Sequence, residues 1–195
     1  MNRPFAPAAE QNKQVIFEAL ERFLTGQVLE IGSGTGQHGV FFAAQRPELC
    51  WQTSDLQPNL EGIRSWIDDA GLDNLPQPIA LDVNGVWPDA QYDSIYGANI
   101  FHIMNETAVA NCMVGCGRCL RPGGFLAIYG PFNYHGEYTS ESNARFDQML
   151  HANDPDSGIR DVDWLQQLAT AAGLELAADI AMPANNRSLV WQKRT

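Results

Sequence analysis

Three glycines and one acidic residue follow one another near the start of the chain, at a spacing that suits binding of a nucleotide-like ligand. The apolar segment 28–31 contains Glu30, and Gly32, Gly34 and Gly36 come directly after it. Glycine adopts positive φ readily, and its lack of a Cβ lets the backbone approach a ligand closely. A helix after this loop presents unpaired N–H groups at its start. Strand, loop and helix in this order predict a ligand site at the carboxyl end of a strand, and a purely structural turn is the alternative.

A second acidic residue stands where the next strand is predicted to end. The pattern of residues predicts a strand over 49–55, and Asp55 lies 19 residues beyond Gly36. A carboxylate can accept hydrogen bonds from two hydroxyl groups, so Asp55 is a candidate to bind a ribose. The alternative is an aspartate that is exposed to solvent at a strand end and binds nothing.

Three cysteines are spaced in a way that could suggest a metal site. Cys112, Cys116 and Cys119 follow the pattern C-x3-C-x2-C. The same spacing describes one face of a helix, and that face also carries Val109 and Leu120. A structural zinc ion takes four ligands, and no fourth candidate stands nearby. The pattern favours buried helical thiols over a metal site, and a redox role stays open.

Composition indicates one globular domain over 1–195 and excludes several classes of function. Acidic residues outnumber basic ones 23 to 12, which gives a formal charge of −11. A nucleic-acid partner would favour the opposite sign, so none is expected. No apolar run reaches the length of a membrane span, and no signal segment is recognised, so a cytoplasmic location is expected. The oligomeric state is not indicated.

The remaining pattern alternates strands and helices, which is typical of an α/β fold. Helices are predicted over 9–24, 39–45, 59–70, 105–120, 140–151 and 161–172, and strands over 28–31, 49–55, 78–83, 92–99, 125–130, 174–182 and 188–192. The aromatic and polar segment 131–160 is long for a connection between core elements. It is predicted to form a lid over a substrate, with a structural cover as the alternative.

These features together resemble a class I S-adenosylmethionine (SAM) methyltransferase. The stretch E-x-G-x-G-x-G at 30–36 resembles motif I of that class, and L-R-P-G-G at 120–124 resembles a turn frequent in it. The resemblance implies a Rossmann-like seven-stranded α/β sheet, mostly parallel with a C-terminal antiparallel hairpin and helices on both faces. It also implies SAM as the cofactor and S-adenosylhomocysteine (SAH) as its product.

Four further stretches resemble a small methyltransferase-like family of unknown function found in bacteria and animals. They are F-A-P-A-A-E-Q-N at 5–12, E-S-N-A-R-F-D at 141–147, D-P-D-S-G-I-R-D at 154–161 and M-P-A-N-N-R-S-L at 182–189. This resemblance implies the fold and SAM binding, and it supplies no methyl acceptor.

The resemblance also implies which residues contact the cofactor. An acid after the third strand contacts the adenine amino group in this class, and Asp82 has that position. Asn99 ends the fourth strand, beside the expected place of the transferring methyl group. The implied cofactor-binding residues are Glu30, Gly32, Ser33, Gly34, Gly36, Asp55, Leu56, Asp82, Val83 and Asn99.

The acceptor site is less clearly marked in the sequence. His102 and Tyr134 are candidates for catalysis, although a single histidine beside apolar residues is more often structural. The motif of methyltransferases that act on a flipped base does not follow the fourth strand. Candidates to line the acceptor pocket are Asn12, His102, Tyr134, Tyr138, Asn143, Arg160 and Asn186.

Three hypotheses about function follow from the sequence. The first is a SAM-dependent methyltransferase with a small-molecule acceptor. The second is a non-catalytic module that binds SAM or a nucleotide, and the third is a small NAD-dependent oxidoreductase. A dinucleotide dehydrogenase would favour a sixth parallel strand in place of the C-terminal hairpin.

Overall fold

A computed structural model describes residues 3–195 and contains one large sheet. The strands are β1 (Gln27–Ile31), β2 (Cys50–Asp55), β3 (Ile79–Ala80), β4 (Tyr92–Ala98), β5 (Leu120–Gly130), β6 (Phe132–Asn133), β7 (Arg160–Asp161), β8 (Leu174–Met182) and β9 (Asn186–Lys193). The helices are α1 (Pro7–Leu20), α2 (Gln37–Gln45), α3 (Leu60–Ala70), α4 (Glu106–Cys119), α5 (Glu141–Asn153) and α6 (Val162–Ala171). Seven strands form the sheet in the order β3-β2-β1-β4-β5-β9-β8, and β6 pairs with β7 separately.

The first five strands are parallel, and the last two form an antiparallel hairpin that closes the sheet. Strand β1 lies between β2 and β4, and all three run in one direction. Strand β9 pairs antiparallel with both β5 and β8. The predicted Rossmann-like sheet with a C-terminal hairpin is therefore confirmed. The carboxyl ends of β1, β2 and β4 lie side by side, and this edge positions the predicted site.

Helices cover both faces of the sheet because each face is apolar. On one face, Ile16 of α1, Phe42 of α2 and Ile63 of α3 are fully buried in one cluster. On the other face, Val109 of α4 and Leu165 of α6 are fully buried in a second cluster. Burial of each such side chain stabilises the fold by about 1.5–3 kcal/mol before entropy is counted.

The ends of several elements differ from the prediction. Helix α1 covers Pro7–Leu20 instead of 9–24, because proline suits the first helical turn and a 3-10 turn replaces the last part. Helix α2 begins at Gln37 instead of Gly39, directly after the left-handed Gly36. Strand β5 begins at Leu120, so the predicted L-R-P-G-G turn lies within it. The register shifts there, from a Tyr92–Leu120 pair to a Ser94–Phe125 pair.

The segment 131–160 folds over the carboxyl edge of the sheet and is ordered by its own contacts. Ser140 caps α5 by accepting a hydrogen bond from the N–H of Asn143 at 3.1 Å. The buried Arg160 guanidinium donates to the carbonyls of Phe101, at 3.2 Å, and Met104. These contacts join the segment to the loop that follows β4.

The three cysteines of α4 are buried free thiols, as predicted. Within 3–195, no group of three or more histidine, cysteine or acidic side chains could hold a metal ion. No helix of the described chain combines the length and the apolar character needed to cross a membrane.

Candidate functional site

The glycine loop has the backbone conformation that only glycine adopts without strain. The φ angles of Gly32, Gly34 and Gly36 are 65°, 58° and 89°. A Cβ added at Gly32 would lie 2.6 Å from Cγ2 of Ile100, whereas one at Gly34 would meet nothing within 4 Å. Gly34 is therefore glycine because of its φ and the open space beside it, and that space is where a ligand can approach the backbone.

Asp55 fastens the glycine loop to the end of β2. Its Oδ2 accepts from the N–H of Gly34 at 2.7 Å. Its Oδ1 accepts from the N–H of Leu56 and from Nδ2 of Asn59, each at 2.7 Å. A carboxylate has about four lone-pair sites, so one remains for a ligand hydroxyl. Asp55, which is predicted to bind a ribose, therefore also holds the glycine loop in its conformation.

Glu30 lies beneath the loop with its side chain almost fully buried. Nε1 of Trp51 donates to its Oε2 at 2.9 Å. Burial raises the pKa of Glu30 to about 7, although hydrogen bonds from Trp51 and Ser33 oppose the shift. A cationic group of a ligand beside Glu30 would favour its charged form.

The raised pKa of Glu30 predicts a pH-dependent stability. Below its ordinary pKa of 4.5 both states of the protein are protonated here, and the folded state has its full stability. As the pH rises from 4.5 to about 7, the unfolded chain ionises first, so the free energy of unfolding falls by up to about 3 kcal/mol. In Glu30→Gln, which still accepts from Trp51, the free energy of unfolding in urea should not show this fall between pH 4.5 and 7, unlike that of wild type. If the free energies of unfolding of the two proteins changed with pH in the same way, the assignment would be contradicted.

The other predicted cofactor residues lie along the same edge of the sheet. Leu56 is half exposed beside Asp55, and Val83 is buried. Asp82 is exposed after β3 and accepts from the N–H of Asn84 at 2.9 Å. This bond forms a local turn, so contact of Asp82 with an adenine stays a prediction.

The residues 4–9, here called the N-terminal strap, cross the outer side of the glycine loop. Nε1 of Trp66 donates to the carbonyl of Pro4 at 2.7 Å, and the N–H of Ala6 donates to Oε1 of Gln37 at 2.6 Å. The strap and the loop enclose a space of about 170 Å³, here called the loop cavity. Ligand pockets usually measure about 300–1,000 Å³, so a cofactor would have to extend from the loop cavity into neighbouring space.

A second space, here called the large cavity, lies directly beside the loop cavity. It measures about 970 Å³, and Ala8 and Asn99 belong to the walls of both cavities. Asn99 adopts a φ of 59°, which is uncommon for a residue other than glycine, and its N–H donates to the carbonyl of Tyr129 at 2.8 Å. The two cavities therefore meet where β4 ends.

The wall of the large cavity is neutral and rich in carboxamides. Its six carboxamide side chains are Gln11, Asn12, Asn99, Asn143, Asn185 and Asn186. Among residues 3–195, no aspartate, glutamate, lysine or arginine contributes to this wall. His102 also lines it, packed edge-on against Phe146 at 5.3 Å between ring centroids. Burial, with a smaller effect of Arg160, lowers the pKa of His102 to about 4, so the ring is neutral at pH 7.

The structure brings together only part of the predicted acceptor site. Asn12, His102, Asn143 and Asn186 line the large cavity as expected of an acceptor pocket, and they come from four separate segments of the chain. Whether they bind an acceptor stays a prediction.

Three other predicted acceptor residues do not line this cavity, and their contact with an acceptor stays a prediction. The hydroxyl of Tyr134 donates to Oδ2 of Asp179 at 2.7 Å, and burial raises the pKa of Tyr134. The hydroxyl of Tyr138 donates to Oδ2 of Asp147 at 2.7 Å. The guanidinium of Arg160 donates to the backbone carbonyls of Phe101 and Met104. Each of these side chains holds segments of the fold together.

Other residues of the cavity were not predicted from the sequence. Tyr129 lies near the carboxyl end of β5, while Gln11 and Asn185 come from α1 and the turn before β9. Its position at a strand end is the sequence feature that could have indicated Tyr129 as a cavity residue. The sequence of the strap did not indicate that it contacts the glycine loop, because this contact depends on the tertiary fold.

Comparison with solved structures identifies the class of fold. An O-methyltransferase family protein from Burkholderia thailandensis matches with a TM-score of 0.84 and 16% identity, over 96% of this chain and 57% of that one. The SAM-dependent methyltransferase SibL, in its apo form, matches at 0.83 and 19%, over 96% and 56%. Human N-acetylserotonin methyltransferase, in complex with SAM, matches at 0.81 and 11%, over 96% and 53%. The chain has the fold of SAM-dependent methyltransferases and spans little more than half the length of these proteins.

A comparison with protein families places the chain more narrowly. The family described as protein of unknown function, DUF938, matches residues 3–193, and the chain belongs to this family. The structural matches above confirm the expected class I methyltransferase fold. The occurrence of the family in animals stays a prediction.

Proposed function

We propose that the protein is a SAM-dependent methyltransferase that transfers a methyl group to a small, neutral acceptor. The observation that carries this proposal is the junction of the two cavities at Ala8 and Asn99. One cavity is bounded by the glycine loop and the other by a neutral, carboxamide-rich wall. A cofactor in the first and an acceptor in the second would meet at this junction.

The residues around the loop cavity have the chemistry that SAM requires. Gly34 offers open space and Asp55 a remaining lone pair, while Glu30 can balance a cationic group of the ligand. When bound, SAM supplies an already activated methyl group. The protein then has to align the acceptor and exclude water, for which the strap and α5 are suitably placed.

The large cavity favours an acceptor that is uncharged and forms several hydrogen bonds. Carboxamides offer both donors and acceptors, and the described residues of the wall supply no fixed charge to offset the desolvation of an ion. His102 is the candidate to take a proton from an acceptor that must lose one, and its pKa of about 4 makes it a weak base for that step. The charge of −11 does not favour a nucleic acid, so we propose a small molecule as the partner and a cytoplasmic site of action.

Turnover of labelled SAM tests this proposal. Purified protein would be incubated with methyl-labelled SAM and a panel of neutral metabolites, and label transfer would be measured by chromatography. We expect SAH formation with at least one compound, and none with Gly34→Val. Tight SAM binding without any transfer would favour the non-catalytic binding module.

The strap and the segment 131–160 should respond to different ligands. SAH should slow hydrogen exchange at the amides of Phe5, Ala6, Ala8 and Ala9, because a filled loop cavity supports the strap. Helix α5 contributes Ser142, Asn143 and Phe146 to the large cavity, so 131–160 should gain protection only when an acceptor is also present. Mass spectrometry would measure both, and equal protection of 131–160 in every state would make it a fixed cover.

A further inference from the structure

One carboxamide in the wall of the large cavity is held by two hydrogen bonds to the protein. Asn143 lies in the first turn of α5 and is only 5% exposed. Its Nδ2 donates to Oγ1 of Thr139 at 2.9 Å and to the carbonyl of Asn185 at 3.1 Å. A carboxamide nitrogen has two hydrogens, and both are used here. Asn143 therefore has no side-chain donor left to offer a ligand.

The carbonyl of Asn185 determines which end of the Asn143 amide faces it. A backbone carbonyl can only accept, so the amide nitrogen and not the oxygen must lie against it. Asn185 and Ala184 adopt φ angles of 60° and 58°, which are uncommon for residues other than glycine. Such a turn persists where its surroundings hold it in place. Reversal of the Asn143 amide would place its oxygen against this carbonyl and give up the hydrogen bond, so the orientation is fixed.

The oxygen of the same amide is left open. Within residues 3–195, no N–H or O–H group donates to Oδ1 of Asn143. Solvent still reaches this oxygen, unlike the sealed and unpartnered Oγ1 of Thr53, Oδ1 of Asn133 and Oγ of Ser188. The space that Asn143 borders is the large cavity. Its oxygen therefore offers lone pairs to a ligand in that cavity.

We infer that Asn143 selects a methyl acceptor that presents an N–H or O–H group to the α5 side of the large cavity. A donor at this point forms a hydrogen bond with Oδ1, whereas a ligand with only lone pairs there leaves the oxygen without a partner. Alcohols, uncharged amines and amides with an N–H belong to the favoured class, and ethers and esters do not. The choice of acceptor rests on the proposed function, whereas the direction of the hydrogen bond does not.

Two probes of the same shape test this direction. Indole has an N–H where benzofuran has a ring oxygen, and the binding of each to the ligand-free protein can be followed by chemical-shift perturbation. Once corrected for their different solubility in water, wild type should bind indole more tightly by roughly 2- to 10-fold, the net contribution of one hydrogen bond. Equal binding, binding of neither probe, or a preference for benzofuran would overturn the inference.

The side-chain carbonyl carbon of Asn143 reports whether this residue forms the bond. The chemical shift of Cγ changes when a donor bonds to Oδ1, so indole should move it and benzofuran should not. Asn74 is an internal control, because its Nδ2 also donates to backbone carbonyls while the residue lies outside the cavity wall. Its Cγ should move with neither probe. Indole binding that leaves Cγ of Asn143 unmoved would contradict the role of Asn143.

Two variants separate the open oxygen from the support that Asn143 gives the fold. Asn143→Leu has a similar size and cannot accept, so the preference for indole should be lost. Thr139→Val removes one partner of Nδ2 but leaves the carbonyl of Asn185 and Oδ1 in place, so the preference should persist. A preference that persists in Asn143→Leu, or one that is lost in Thr139→Val, would overturn the inference. If Asn143→Leu does not fold, the Cγ shift in wild type decides.

Calorimetry with SAH on wild type tests the proposed function independently of these probes. Absence of SAH binding would refute the proposed function, while the indole and benzofuran results would still decide the direction of the hydrogen bond at Asn143. Binding of SAH together with equal binding of the two probes would refute the inference alone.

Discussion

Replacement of Gly34 by valine is expected to abolish binding of SAM and SAH. The φ of 58° at this position is a strained conformation for a β-branched residue, at a cost on the order of 1–3 kcal/mol. The valine side chain would also project into the open space beside the loop, where we place the cofactor. Isothermal titration calorimetry with SAH would measure the loss.

Gly71 provides a matched control for this experiment. It has the same φ of 58°, and a Cβ there also meets nothing within 4 Å. It ends α3 and belongs to neither cavity wall. Gly71→Val should therefore lower stability by a similar amount and leave SAH affinity unchanged. Full affinity in a folded Gly34→Val protein would show that the loop is only a turn.

Asp55→Ala is expected to weaken SAM and SAH by similar factors. The variant loses the carboxylate that holds Gly34, Leu56 and Asn59, and with it the remaining site for a ribose hydroxyl. Loss of a charge-assisted contact costs on the order of 1.5–3 kcal/mol, which corresponds to roughly 10- to 150-fold in affinity. Calorimetry with both ligands would measure the two factors.

Asp89→Ala is the control for the change in net charge, because Asp89 is exposed and far along the chain from the loop. It should leave both affinities unchanged. Weakening of SAM without weakening of SAH by Asp55→Ala would mean that Asp55 senses the sulfonium charge, contrary to the ribose placement.

The fold could be predicted from the sequence because its strands and helices carry local signals. The apolar segment before Gly32 and the glycines after it predict β1 and the loop, and Gly71 marks the end of α3. The limits of β3 could not be predicted in this way. Residues 78–83 have the composition of a strand, but only Ile79 and Ala80 pair with β2, because β3 is the edge of the sheet.

The cofactor side of the site was more predictable than the acceptor side. Asp55 and the glycine loop are close in sequence to the strand ends that position them. The large cavity instead joins residues such as Asn12, Asn143 and Asn186, which only the tertiary fold brings together. Tyr134 and Tyr138 are of a residue type that often lines a pocket, but the hydroxyl of each donates a hydrogen bond to an aspartate of the fold. Local sequence cannot distinguish these two outcomes.

The most direct test of the account is calorimetry of the wild-type protein with SAH, SAM and NAD. The glycine loop, the C-terminal hairpin and the neighbouring large cavity lead us to expect binding of SAH and SAM at one site per chain, in competition with each other, and no comparable binding of NAD. Tight binding of NAD without binding of SAM or SAH would contradict the account and favour an oxidoreductase.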